Sequence, residues 1–195
     1  MKCLRRSLLL VGLLGVGATL RAQEMTLQLD AATTKINFTL DATLHTVHGN
    51  FKLKSGTIHF NPATGAASGQ IVVDAGSGDT NNDGRDRKMH KVVLESARFP
   101  EITFTPSKVT GALAPEGDST VQVEGNFQLH GTDHPISATV PVHLHGGRLE
   151  AKAAFAVPYA SWGLKNPSTL FLHVSDKVDV EVSASGHLTP GPVQP

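Results

Sequence analysis

The chain has almost no cysteine: one residue, Cys3, in 195. A fold stapled by disulfides is therefore excluded, as is a metal site built on clustered thiolates. Aromatic residues are scarce at 5% and charged residues make up only 17%, against about 25% in an ordinary globular chain. With 39% hydrophobic residues, a chain kept unfolded by its own charge is also excluded. Lys+Arg and Asp+Glu are equal at 17 each, so there is no basic excess of the kind that holds nucleic acid. No GxSxG elbow, SxxK pair or HExxH pair occurs, and Gly76-Ser77-Gly78 lacks the Lys-Ser/Thr that completes a phosphate loop. No residue is assigned a catalytic role, and no cofactor is expected.

The charge balance is uneven along the chain. Lys2, Arg5, Arg6 and Arg21 all lie within residues 1–22, which hold no acidic residue. A basic start, an apolar run from Leu8 to Leu20 and then small residues make the order of a secretory signal peptide, and the run is too short to span a membrane as a helix. Cleavage is expected after Ala22, with Ala18 as the alternative. Cys3 precedes the apolar run, where it cannot serve as a lipid-modified cysteine. The expected mature chain is acidic and exported, in the periplasm or outside the cell.

From residue 25 onward the signal is period-2 alternation, which marks strands with one buried face. Ile36, Phe38 and Leu40 share a face, as do Val47, Gly49, Phe51 and Leu53, then Ile58 and Phe60 before the turn residues Asn61-Pro62-Ala63-Thr64-Gly65. Ile102 and Phe104, Val121 to Leu129, Ile136 to Val142, and Val178 to Val182 repeat the pattern. Within this array, residues 84–96 place Met89, Val92, Val93 and Ser96 at helical spacing. Asn82 or Asp83 is the expected cap, and Pro100 ends the segment. Residues 76–84 read as a polar loop, and residues 189–195, with three prolines, as a disordered tail. Short strands with one inserted helix and no disulfide predict a closed barrel or a two-sheet sandwich; closure removes exposed edges. A barrel of about eight strands is either filled by side chains or hollow enough for one ligand, and both satisfy the same periodicity.

Ten histidines raise a metal reading, above all His143 and His145 at i, i+2, with His45, His48, His130 and His134 as further candidates. The ordinary alternative is the polar face of a strand whose apolar residues are Val142 and Leu144, and no metal ligand is assigned. Phe38, Phe51, Phe60, Phe104, Phe127 and Phe155 fall on apolar strand faces and, with Trp162, make up either core or the lining of an apolar pocket. Ala153 is placed on the alternate face. Arg85 and His90, on the polar side of the helix, are either solvated or positioned at a barrel mouth to meet a polar head group.

The order of motifs resembles the YceI-like, polyisoprenoid-binding family. The run Gly84 to His90 followed by Leu94 to Phe104 is similar to its central RD-x-x-M/L-H and FP-x-I-x-F signature. Gly125 to Ile136 resembles its HG-containing hairpin, and Tyr159 to Leu164 with Val178 to Val182 resembles its late loop and closing strand. Trp162 stands where phenylalanine is frequent in that family, and residues 76–84 are unusually rich in Gly, Asp and Asn. The resemblance spans residues 25–188. It implies an all-β, extended antiparallel lipocalin-like barrel of about eight strands with a short inserted helix, as one domain over residues 23–188. It further implies that the barrel holds a long-chain amphiphile such as a polyisoprenoid or isoprenoid quinone, without catalysis. The ligand-contacting residues would be Phe38, Phe51, Phe60, Phe104, Phe127, Phe155 and Trp162, with Arg85 and His90 at an opening. Transient membrane contact is compatible with that role, and the oligomeric state, a dimer included, stays open. The competing readings are an exported barrel with a filled interior that acts through protein contacts, and a periplasmic metal binder using His143 and His145.

Overall fold

Alternating apolar and polar residues cannot bury one face in a flat sheet without leaving two unpaired edges. The computed structural model, which describes residues 24–191, resolves this by closure. Nine antiparallel segments are present: β1 (Met25–Leu29), β2 (Lys35–Asp41), β3 (Thr46–Phe60), β4 (Ala67–Asp79), β5 (Glu101–Thr110), β6 (Gly117–Leu129), β7 (Thr132–His145), β8 (Arg148–Val157) and β9 (Val178–Pro190). They fill eight positions in a closed meander, because β3 pairs with β4 at one seam and β1 and β2 share a position between β3 and β9.

The shared position has a local cause. Asp30 breaks the strand by accepting the Ala32 N–H on its carboxylate at 2.9 Å and the Thr34 N–H on its carbonyl at 3.0 Å. Its own N–H donates to the Ser185 carbonyl at 2.8 Å, so the bulge stays attached to β9 and the ladder resumes at Lys35 opposite Ser183. Gly186 permits the close approach at this point, since a Cβ there would lie 2.3 Å from the Gln28 carbonyl oxygen.

Three expectations need correction. Residues 76–79 belong to β4, not to a loop; β4 hides its strand character behind Gly69, Gly76 and Gly78 and the unbroken run Ile71-Val72-Val73. β9 continues through Thr189 and Pro190, opposite Thr26 and Met25, so the expected tail begins two residues too early. The expected signal segment lies outside the described residues, within 1–23, as do residues 192–195 of the expected tail. The inserted helix is α1 (Asp83–Lys88), capped by the Asn82 side chain, which accepts the Arg85 N–H at 3.0 Å. A π-helical turn (Met89–Val93) follows, with the Leu94 N–H reaching the Met89 carbonyl at 2.8 Å. This wider turn rotates Val92 outward, against the expected face, and brings Leu94 inward beside Met89 and Val93.

One end of the barrel, here the helix end, carries residues 42–45, 80–100, the His130–Gly131 turn and 158–177. Residues 61–66, 111–116 and the Gly146–Gly147 turn lie at the opposite end. His130 and Gly131 have φ of 53° and 79°, as a two-residue hairpin turn requires. His130 also meets the Glu95 carboxylate at 2.7 Å, which ties this hairpin to the helical connection.

Candidate functional site

The inward faces of the eight strand positions do not meet. They enclose an apolar cavity of about 740 Å³. Its lining runs from Pro62, Gly111 and Leu113 at the opposite end to His45, Asn82, Arg85 and Lys88 at the helix end. A strand advances about 3.4 Å per residue, and strands in such barrels tilt by roughly 35–45°. The 13 residues of β6 thus correspond to about 30–35 Å along the axis. Small residues at inward positions keep the middle open: Ala138 on β7, Ala151 and Ala153 on β8 and Ala184 on β9 all line the cavity. The reading of a filled interior is corrected accordingly. Ala153 shares the inward face with Phe155, two residues on, as strand geometry requires, rather than taking the alternate face.

Six of the aromatic residues singled out in the sequence, Phe38, Phe51, Phe60, Phe104, Phe127 and Phe155, line this cavity. Phe38 and Phe51 pack with ring centroids 5.3 Å apart, and Phe127 and Phe155 meet edge to face at 5.9 Å. Phe104 lies across Gly125, where a Cβ would come within 2.7 Å of the ring. Trp162 does not line the cavity. It stands in the loop after β8, stacked on His134 and 6.0 Å from Phe127, where it backs the wall.

The two polar candidates separate. Arg85 reaches the cavity from α1, donating from Nε to the Thr80 hydroxyl and from a terminal nitrogen to the Thr80 carbonyl, each at 2.7 Å. His90 lies outside the lining. Its Nε2 meets the Gly78 carbonyl at 2.9 Å and its Nδ1 meets Ser96 at 3.3 Å, so it fastens the π-helical turn to β4. Sequence inspection missed Lys88, one turn beyond Arg85 on the same helix, whose Nζ donates to the Pro167 carbonyl at 2.8 Å. Its i, i+3 spacing from Arg85 was the available signal.

Tyr159, a buried residue of the loop after β8 that also lines the cavity, donates its hydroxyl to the Ser175 carbonyl at 2.6 Å. Burial, with a smaller contribution from the Asp176 carboxylate, pushes its pKa up to about 12. His143 and His145 point away from the cavity and pair with Asp118 at 2.7 Å and Glu116 at 3.3 Å. Among the described residues, no three His, Cys, Asp or Glu side chains converge as a metal site would require.

The geometry is that of a container: a long apolar interior with its ionisable groups gathered at one end. Comparison with known proteins agrees at the level of fold and family. A family model described as the YceI-like domain matches residues 27–185. A UPF0312 protein of Pseudomonas savastanoi pv. phaseolicola is 28% identical over 148 residues, covering 72% of this chain and 73% of the relative. A UPF0312 protein of Vibrio vulnificus is 29% identical over 140 residues, covering 69% and 72%. Among solved structures, BcnA of Burkholderia cenocepacia superposes with a TM-score of 0.66 at 18% identity, over 80% of this chain and 98% of its own. A polyisoprenoid binding domain from Saccharophagus degradans, implicated in plant cell wall breakdown, superposes with a TM-score of 0.64 at 20% identity, over 84% and 98%. These two share the fold. With its barrel, its helical insertion and a family match over most of its length, the chain belongs to the YceI-like domain family.

Proposed function

We propose that this protein is an exported carrier that holds the hydrocarbon chain of a long amphiphile, a polyisoprenoid, an isoprenoid quinone or a similar lipid, and shields it from water. The observation that carries this reading is the continuous apolar cavity of about 740 Å³ along the barrel. Each methylene moved from water into such a space contributes about 0.8 kcal/mol, so a long chain binds well with few directional contacts. Phe38, Phe51, Phe60, Phe104, Phe127 and Phe155 would touch the chain, and Arg85 would meet the head group. The basic, apolar and small-residue order of residues 1–22 supports export to the periplasm. Binding without chemistry is the role that the apolar lining favours.

Loading would take place at a membrane. Leu170 and Phe171, at the tip of the loop after β8, are 97% and 92% exposed, and Leu44, on the β2–β3 turn, is 77% exposed. Both loops stand at the helix end, beside the cationic rim of the cavity. Protruding apolar side chains next to the entrance of a lipid-sized cavity suit a bilayer surface, into which they insert without needing a complementary pocket.

Native mass spectrometry of the protein purified from a periplasm, followed by organic extraction, tests the carrier reading. A bound mass of several hundred daltons that resolves to an isoprenoid or other single-chain lipid is expected. A bare polypeptide mass, an empty extract and no uptake of offered isoprenoids would overturn it.

A further inference from the structure

One seam of the barrel wall is left half open. β7 pairs with β6 from Leu144 to Thr132, and β8 pairs with β9 from Arg148 to Val157. Between β7 and β8 the register holds for four pairs only, from His145 opposite Arg148 to Val142 opposite Ala151, and no isolated bridge joins the two strands beyond them among the described residues. The seam between β4 and β5 also has four pairs, but it is tied again on both sides, by the Ala75 N–H on the Pro100 carbonyl at 3.0 Å and by the bridge between Ala66 and Lys108.

The sequence supplies the cause. Pro141 is the next residue along β7, facing Lys152, and Pro135 shares its strand parity. Both prolines are paired with β6, at Thr120 and Asn126. A proline holds such a pair only where its nitrogen faces away from the partner strand, so both nitrogens, which carry no hydrogen, face β8. Residues 136–141 of β7 and 152–157 of β8 thus flank a slot about 20 Å long. Its inner lips are Ile136, Ala138 and Val140 against Ala153, Phe155 and Val157, all of which line the cavity. Its outer lips are short side chains, with Ser137 and Thr139 facing Ala156 and Ala154, all exposed. At the helix end the slot is crossed by a side-chain contact instead of a ladder: His134 of β7 lies flat against Trp162 of the loop after β8.

We propose that the cargo passes sideways through this slot and that the Trp162–His134 stack is its latch, fastening the two lips where the ladder does not. The inference rests on the carrier reading and adds the route of exchange. A chain entering at the helix end must be threaded lengthwise past the packed residues Leu129, Tyr159 and Leu164. Through the slot it crosses one short apolar lip along its whole length, which keeps its methylenes out of water during transfer. Trp162 belongs to the same loop as Leu170 and Phe171, whose exposed side chains suit a bilayer. Seating that loop in a membrane draws the indole off the imidazole at the place where cargo is exchanged.

Retinol, a fluorescent isoprenoid with a neutral head, serves as the probe. Stopped-flow fluorescence reads its uptake by the delipidated mature protein and its release into phosphatidylcholine vesicles. Thr139→Cys with Ala154→Cys, joined by a short bis-maleimide, staples the slot; neither position lines the cavity, and the expected mature chain has no other cysteine. Stapling is expected to slow uptake and release together by about tenfold or more, the mark of a raised barrier, and to leave the affinity unchanged. His134→Ala and Trp162→Ala, which undo the latch, should speed both by about two- to tenfold, the factor that an aromatic stack supplies. His134→Phe, which keeps a ring on the indole, should retain the original rates. Exchange at the original rate in the stapled protein would overturn the proposal and assign the route to the helix-end mouth, and this arm decides the matter even if the alanine variants fail to fold. Original rates in folded His134→Ala and Trp162→Ala would also overturn it, as would a change confined to uptake or to release, which reports altered affinity and no gate. If the unaltered protein takes up neither retinol nor any other isoprenoid offered, the carrier reading beneath it is the one that fails.

Discussion

The imidazole of His134 lies flat on the indole of Trp162, with ring centroids 3.9 Å apart and planes 4° from parallel. This stack explains why Trp162 does not line the cavity: its face is taken up by a strand residue. The His134 Nε2 is buried there without a hydrogen-bond partner among the described residues.

Replacing His134 by phenylalanine keeps an aromatic ring on Trp162 and removes the buried polar atom. Leaving such an atom unsatisfied costs about 1–3 kcal/mol. His134→Phe is therefore expected to raise the urea midpoint at constant slope, whereas His134→Ala, which opens a void beside Trp162, should lower it. A midpoint that falls in both variants would show that Nε2 is satisfied in solution.

Tyr159 makes stability depend on pH at the alkaline end. Its pKa is pushed up to about 12 in the folded state, whereas an unfolded tyrosine titrates near 10. Below pH 10 the tyrosine is protonated in both states and its contribution is fully present; between 10 and 12 the unfolded state loses its proton first, so stability falls. Thermal melts from pH 8 to 12 should show this decline, and Tyr159→Phe should flatten it while losing about 1 kcal/mol at neutral pH with the Ser175 hydrogen bond. An alkaline decline of the same size in the variant would assign it to other groups.

Leu170 and Phe171 make few contacts that hold the fold, because both side chains are almost wholly exposed. The double substitution Leu170→Ser, Phe171→Ser should leave the melting temperature and the affinity for soluble amphiphiles unchanged while abolishing co-sedimentation with phosphatidylglycerol vesicles. Undiminished sedimentation would remove these loops from the membrane contact.

Ala153 faces the cavity from β8, between Ala151 and Phe155. A tryptophan there projects into empty space rather than into packed neighbours, so overpacking strain is small. Ala153→Trp is expected to fold, to keep or raise its melting temperature, and to lose bound lipid on native mass spectrometry. Full lipid occupancy in the folded variant would mean that the chain occupies another part of the interior.

Much of this architecture is legible along the chain. Ile36-x-Phe38-x-Leu40 and Val178-x-Val180-x-Val182 point inward as their parity requires, because successive strand residues face opposite sides. β4 was harder to read, since its glycines and its three consecutive apolar residues interrupt the alternation while its ladders to β3 and β5 complete the closure. Arg85 was identifiable as a polar candidate, but His90 on the same segment was not separable from it. The π-helical turn, whose extra residue per hydrogen bond leaves no mark in the periodicity, turns His90 toward Gly78 and Val92 toward solvent.

The chain read residue by residue yields most of the inward positions on β2, β3 and β9, the place of the helical insertion with Asn82 or Asp83 as its cap, and the family to which the chain belongs. Local chemistry and strand parity suffice for these, since each depends on neighbours a few residues apart. The hollow interior, the place of Trp162 behind the wall instead of in the lining, and the confinement of the cavity's cationic groups to one end emerge from the three-dimensional fold alone. Those properties depend on how residues from eight separated strand positions meet across the barrel. An inward alanine or phenylalanine looks the same in the chain whether or not its partner on the far side reaches it.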